Sequence, residues 1–363
     1  MKQENADNAV LSLTVSSLRL PMAMLVVFIH TQFATVMIDG QMAVNSEHLP
    51  VYNFAELVLC NMIPRMAVPF FFFVSGYFFF KSGALTLRSY IDKLKRRART
   101  LLLPYMMWNL VYVLLYFATQ MFLPSYTSGR NKLVVEYSFT DWLNVFWVHC
   151  DGMPICGPLW FLRDLMLVIL FAPLLYFMLK KFKAFTLVLF AVLYLYWPIE
   201  TDPSIPFFAA FYFSFGAWFS LRGVDFAVMF SRHRWSLAAV CLILAVIEVV
   251  RWRSGVDCFY EVRELFVLVE MMMVIGFVAH HISNKRTPLV AASAGGAFFV
   301  FAFHSMPLVL ARKLWVTLLP INELSLIVGL FVLPLLISAI GVGMYWLVRR
   351  YCAKFSVLLT GGR

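Results

Sequence analysis

Apolar residues along this chain gather into long runs separated by short polar and charged segments, and the runs set the fold class. A transmembrane helix needs roughly 20 mainly apolar residues. Ten runs approach that length, near 17–38, 57–80, 101–122, 160–179, 184–199, 206–221, 235–250, 262–280, 297–318 and 325–348. The fifth, sixth and seventh are short, which predicts helices that tilt into neighbours or break. No internal repeat or low-complexity linker divides the series. The pattern predicts an all-α integral membrane protein, a single bundle of about ten transmembrane helices forming one domain over residues 1–363.

Two connections are long. Residues 81–100, KSGALTLRSYIDKLKRRART, read as a basic amphipathic helix leading into the third run. Attraction to anionic lipid is its ordinary role, and docking of a polyanionic cytoplasmic ligand is the alternative. Residues 123–158 contain WLNVFWVHCDGMPICG, whose aromatics suit an interfacial segment or a lid over a cavity.

Composition agrees with a membrane fold. Hydrophobic residues make up 62% of the chain, against roughly 45–50% in soluble domains, and the mean hydropathy is +0.81. The first apolar run is too long for the ~7–15-residue core of a signal peptide, so the N-terminus is expected to be retained. With that terminus in the cytoplasm, 20 of the 30 Lys and Arg fall in cytoplasmic segments and 5 outside, Arg130, Lys132, Arg251, Arg253 and Arg263. By the positive-inside rule both termini are cytoplasmic. The net charge of +11 is mostly this topology signal and calls for no nucleic-acid partner.

Of the six cysteines, Cys150, Cys156 and Cys258 fall in external connections, where a Cys150–Cys156 bridge is one option in an oxidising compartment. Three external thiols leave one unpaired under any single pairing. No Cys/His spacing points to a metal site.

Ionisable residues inside spans are costly and mark sites or pathways. Arg19 and His30 are eleven residues apart, about three turns, so they share one helix face. The rise of about 16 Å puts Arg19 near the cytoplasmic interface and His30 near mid-membrane. Arg19 reads either as a snorkelling anchor or as a grip on one end of an elongated ligand. His30 reads as a packed neutral histidine or as a general base, which also requires neutral imidazole. Arg65 lies at similar depth and needs an acidic partner, a wet cavity or an anionic ligand; Glu270 is the expected counter-ion. Ser75 and Gly76 form a small pair that admits a close neighbour, a packed helix before a ligand. Arg163 and Asp164, adjacent in GPLWFLRDLM after Trp160, are expected to face different helices without neutralising each other. Glu248 and Glu264 are the other acidic residues in this class, and His304 in FFVFAFHSMP either lines the same cavity as His30 or packs in the core.

Together these stretches resemble acyltransferase family 3, multi-pass membrane acyltransferases that modify cell-surface glycans. Arg19 and His30 match the family's arginine, ten residues, histidine signature. RMAVPFFFFVSGYFF is similar to its second helix, RRARTLLLPYMMW to the opening of its third, PLWFLRDL to its Trp-Phe-Leu segment, and FAFHSMPL to its histidine-bearing penultimate helix. The resemblance implies transfer of an acyl group, most often acetyl, from cytoplasmic acyl-coenzyme A to a carbohydrate hydroxyl, in a bacterial-type plasma membrane. The acyl-coenzyme A is a co-substrate; no bound cofactor or metal is implied. His30 and Arg19 would be catalytic, His30 as general base in a direct transfer, with an acyl-histidine relay as the variant. Arg65, Arg163, Trp160, His304 and Ser75 would bind donor or acceptor. The longer family members' appended extracytoplasmic hydrolase-like domain is not found, which favours a lipid-linked or soluble glycan acceptor reaching the bilayer. A secondary transporter or flippase for a polar or anionic solute is the rival reading. It shares the helix count and buried charges, but calls for inverted repeats and paired broken helices.

Overall fold

The computed structural model describes residues 2–38, 40–81, 83, 85–122, 132–149, 152–196, 206–255, 260–285 and 294–362. Among the described residues seventeen α-helices run in chain order: α1 Lys2–Ile29, α2 Pro50–Glu56, α3 Ala67–Phe80, α4 Leu87–Arg97, α5 Leu103–Phe122, α6 Phe139–Asn144, α7 Trp160–Leu170, α8 Ala172–Lys181, α9 Ala184–Tyr196, α10 Phe207–Leu221, α11 Phe226–Arg232, α12 Arg234–Arg253, α13 Tyr260–Lys285, α14 Ala294–Phe303, α15 Ser305–Leu318, α16 Glu323–Tyr351 and α17 Ala353–Thr360. A short antiparallel ladder, Met37–Ile38 against Gln41–Met42, interrupts the otherwise helical pattern.

Among the described residues, six helical segments are long and apolar enough to cross a membrane: Ala9–Ile29, Pro50–Phe80, Leu87–Phe122, Arg234–Arg253, Glu261–Lys285 and Glu323–Tyr351. Two bent pairs raise the number to as many as eight, Gly157–Leu170 with Ala172–Lys181 at 62°, and Gly295–Phe303 with Ser305–Leu318 at 52°. The remaining two expected runs form the shorter apolar helices Ala184–Tyr196 and Phe207–Leu221.

Four prolines account for the irregularities. A proline lacks the N–H that would bond four residues back, and its ring crowds that carbonyl. Wider π-type turns at Leu57–Met62 and Ala98–Leu102 precede Pro64 and Pro104. The 62° and 52° bends precede Pro173 and Pro307, each placed in the first turn of the following helix, where the missing donor costs nothing. The basic helix expected within 81–100, leading into the third run, is present. It runs as α4 through the π turn into α5 as one segment, Leu87–Phe122.

The chain forms two compact units. The first comprises residues 1–22, 62–93 and 168–294. Its core is an aromatic pack on α3 and α10, including Phe72, Phe73, Phe79, Phe80, Phe213 and Phe219, all at most 2% exposed. The two helices touch backbone to backbone. A Cβ on Gly76 would stand 1.9 Å from the Phe213 carbonyl oxygen, and one on Gly216 would stand 1.9 Å from that of Phe73. The small pair at 75–76 thus serves helix packing at Gly76, while Ser75 is half-buried beside it. Lys93, on the basic helix read as a site for anionic lipid or a polyanionic ligand, is buried and donates to the Phe79 carbonyl.

The second unit comprises residues 23–61, 94–167 and 295–363. In it α16 packs against α2, α15 and α17, and α17 packs on α5. Trp108 Nε1 on α5 donates to the Leu359 carbonyl at 3.0 Å, tying α17 down.

Candidate active site

The bend between α14 and α15 falls at His304, which is fully buried. Pro307 leaves the Phe303 carbonyl without its helical donor, and the neighbouring carbonyls find side-chain partners. His304 Nδ1 lies 2.7 Å from the Phe301 carbonyl. Tyr112 Oη donates to the Ala302 carbonyl at 3.2 Å, and Cys156 Sγ reaches the same oxygen at 3.7 Å. A broken helix inside a membrane protein survives only where such groups satisfy its backbone. A carbonyl oxygen only accepts, so Nδ1 carries the hydrogen, and in the neutral ring Nε2 presents a lone pair. That Nε2 is buried with no hydrogen-bond partner among the described residues.

His30 meets this break. Its ring centroid lies 5.4 Å from that of His304, with the planes tilted by 31°. The sequence placed His30 in the middle of a helix over 17–38; instead α1 ends at Ile29 and His30 is the first residue beyond it. Residues at the end pair three back, His30 N to Val27 O at 3.2 Å and Thr31 N to Phe28 O at 3.0 Å. The Thr31 hydroxyl competes for the Val27 carbonyl at 2.8 Å. By the same shift Arg19 stands in the interior of the Ala9–Ile29 segment rather than at its end.

The segment that follows His30 is tied down at successive residues. Gln32 Nε2 donates to Asn61 Oδ1 at 2.8 Å. The Phe33 amide donates to Tyr52 Oη at 3.0 Å, and Tyr52 in turn donates to Glu56 Oε1. Arg312 Nη1 donates to the Gln32 carbonyl at 2.5 Å and to Thr35 Oγ1 at 3.0 Å. Reading the sequence left Arg312 unassigned and passed over Tyr52 and Glu56. The available signal was an arginine seven residues inside an apolar run, eight beyond a histidine.

Arg163 and Asp164 correct another expectation. They are 4% and 7% exposed and form an ion pair, Arg163 Nε to Asp164 Oδ1 at 2.9 Å. Adjacent positions diverge at Cβ, but the long arginine stem folds back far enough to reach its neighbour. Arg163 Nη1 also donates to the Trp147 and Gly152 carbonyls at 2.8 and 2.7 Å. Together with Tyr105 Oη, which donates to the Phe146 carbonyl, it anchors the connection read from the sequence as an interfacial segment or a lid. Trp160, which opens α7, is half-buried, and the neighbouring Phe161 stacks edge-on against Phe301 at 5.7 Å. Cys156 is a buried free thiol; Cys150 and Cys258 lie outside the described residues. In the same connection, burial holds the His149 imidazole below its ordinary range against the smaller raising effect of Asp141. The hydrogen bond from Lys132, aided by Ser138, holds the Asp141 carboxyl well below the usual carboxylate range.

The other expected site residues belong to the first unit. Arg19, Arg65 and Ser75 are each half-buried. Glu270 is buried with its Oε2 unpartnered among the described residues, and no ion pair joins it to Arg65. The expected Arg65–Glu270 pairing is not made, although the tight turn Ile63–Met66 that carries Arg65 packs on α13, the helix of Glu270. Glu248 pairs with Arg251 at 2.5 Å on its own helix, and Glu264 accepts from Tyr194. Among the described residues no group of three or more His, Cys, Asp or Glu could hold a metal ion.

Residues 16–343 match the protein family described as Acyltransferase domain. The succinoglycan biosynthesis protein ExoH of Rhizobium meliloti (strain 1021) is 27% identical over 363 residues, covering 98% of this chain and 94% of that protein. No solved structure matches the chain.

Proposed function

The chain belongs to acyltransferase family 3 and is a multi-pass membrane acyltransferase; we propose that it moves an acyl group, acetyl in the simplest case, from acyl-coenzyme A to a hydroxyl of a carbohydrate or lipid-linked sugar. The observation that carries this reading is the histidine pair, one ring at the end of α1 and the other at the α14–α15 break, 5.4 Å apart. A glycan acceptor is in keeping with the name of the relative, a succinoglycan biosynthesis protein.

In the proposed reaction the sugar hydroxyl attacks the thioester carbonyl while His30 takes its proton. The new C–O bond forms, the C–S bond breaks, and the coenzyme leaves as a thiolate that recovers the proton from His30. Such proton removal contributes typically 10²–10⁴-fold. His304 offers Nε2 to a hydroxyl or amide N–H of the bound substrates. Arg19 would bind the donor's phosphates by charge-assisted bonds, and Arg65 would hold the acceptor or the developing oxyanion. Arg163 would act through the connection it anchors, and Trp160 and Ser75 would contribute to donor or acceptor binding. We further propose that the two shorter apolar helices complete ten spans of one membrane domain, with both termini in the cytoplasm of a cell bounded by this plasma membrane.

The two proline-broken spans are also what a transporter would use, so the test separates the readings. Purified protein is titrated with acetyl- and succinyl-coenzyme A, following binding and release of free thiol, for wild type, Arg19→Ala and His30→Ala. Wild-type binding and turnover, loss of binding in Arg19→Ala, and binding without turnover in His30→Ala are the expected results. Failure of wild type to bind any acyl-coenzyme A would sink the donor assignment and favour transport.

A further inference from the structure

His30 lies outside regular helix, so its position depends on the segment that follows it, and we infer that Arg312 is the positioning residue that sets His30 against His304. The inference rests on the acyl-transfer reading above. α15 begins immediately after His304 and carries Arg312 eight residues on, about 12 Å along its axis. From there Nη1 uses both of its hydrogens on the chain beyond His30, one on the Gln32 backbone carbonyl at 2.5 Å and one on the Thr35 side-chain hydroxyl at 3.0 Å. These two acceptors bracket the tight turn Phe33–Thr35. One rigid helix therefore starts at one histidine and grips the chain two residues past the other. The spacing of the rings follows from that shared element.

The Gln32 carbonyl lies just past the end of α1, where backbone acceptors lack intrahelical donors. A guanidinium can serve that carbonyl and the Thr35 hydroxyl from one fixed plane, whereas a lysine ammonium offers a point charge on a flexible stem. The Phe33 amide, held by Tyr52 and through it by Glu56, prevents the turn from rotating about the Arg312 contact. Phe33 itself is fully buried, with its ring 6.4 Å from that of Trp315 on α15. The turn is thus packed against the same helix that Arg312 serves.

The experiment measures thiol release from acetyl- and succinyl-coenzyme A by purified wild type, Arg312→Gln, Arg312→Lys and Thr35→Val, with thermal unfolding as the control for folding. A displacement of about 1 Å at a reacting group costs on the order of 10²-fold. Arg312→Gln is expected to lose roughly that factor in kcat with KM for the coenzyme within about twofold, because the donor's binding groups are untouched. Arg312→Lys should recover part of the loss. Thr35→Val, which removes the Arg312 contact together with the hydroxyl's own bond to the Gln32 carbonyl at 3.0 Å and keeps the charge, should lose about three- to tenfold and carries the test if Arg312→Gln does not fold. The decisive comparison adds His304→Asn, whose amide nitrogen can replace Nδ1 at the Phe301 carbonyl. If Arg312 acts through the histidine spacing, Arg312→Gln in that background costs much less than it does alone. Full additivity, an unchanged kcat in the folded variants, or a loss confined to KM would overturn the inference. A wild type that releases thiol from neither donor would bring down the transferase reading and this one together; an active wild type with unaffected variants refutes this one alone.

Discussion

The α3–α10 crossing in the first unit and the α14–α15 break in the second solve opposite problems. At the crossing, Gly76 and Gly216 remove side chains so that two complete helices meet backbone to backbone inside a shell of phenylalanines. Both helices run unbroken through the crossing, α3 over Ala67–Phe80 and α10 over Phe207–Leu221. At the break, Pro307 interrupts the ladder, and His304, Tyr112 and Cys156 take up neighbouring carbonyls. The second arrangement leaves one nitrogen, His304 Nε2, with nothing to bond among the described residues. Within a membrane protein, unbroken helices build the frame, and the broken one leaves polar groups that can act on a ligand.

The contrast is broken most directly at the glycines. Gly76→Val or Gly216→Val places a branched side chain where a Cβ alone would come within 1.9 Å of a carbonyl oxygen. Overpacking usually costs about 1–3 kcal/mol, and backbone cannot yield as a side chain does. Either variant should fail to yield folded, monodisperse protein on gel filtration; a stable, active Gly76→Val would refute the close crossing. His30→Ala should instead leave folding intact and lower turnover by roughly 10²–10⁴-fold, read as thiol release at saturating donor. A loss below threefold would move the base elsewhere.

Arg163→Gln tests the buried pair. Removing one partner of such a pair costs about 3–5 kcal/mol, because a buried charge is left behind, and here the Trp147 and Gly152 carbonyls lose their donor as well. A marked fall in melting temperature is expected, and Arg163→Gln/Asp164→Asn should recover part of it. No recovery would mean that the loop contacts outweigh the ion pair.

The smallest effect is expected in the connection after α5. His149 and Asp141 both bind protons more weakly in the folded protein than when unfolded, so each makes stability fall as pH falls. The His149 contribution is lost below its ordinary value of about 6.5, and that of Asp141 below about 3.9. Protection factors across residues 132–149, with the intrinsic pH dependence of exchange divided out, should therefore fall on acidification, first below about pH 6.5. Exchange protection that rises on acidification would reverse the assignment.

By itself the sequence determined that the chain is a helical membrane protein, because hydrocarbon admits only runs long and apolar enough to satisfy their own backbone. It also singled out His30 and His304, since ionisable groups in apolar runs are too costly to be incidental. Its periodicity carried α1 on to residue 38, because an apolar run looks the same whether helix continues or ends. The stop at Ile29 came from local competition by Thr31 and from partners far along the chain, Arg312, Tyr52 and Glu56. Helical-face geometry separated Arg163 from Asp164, but a long flexible stem joined them. Equal depth paired Arg65 with Glu270, but packing of the turn Ile63–Met66 on α13 did not join the two groups. Only the tertiary structure decided which buried polar groups meet, because a hydrogen bond depends on placement to within a few tenths of an ångström, and spacing along a chain sets only which side of a helix a residue occupies.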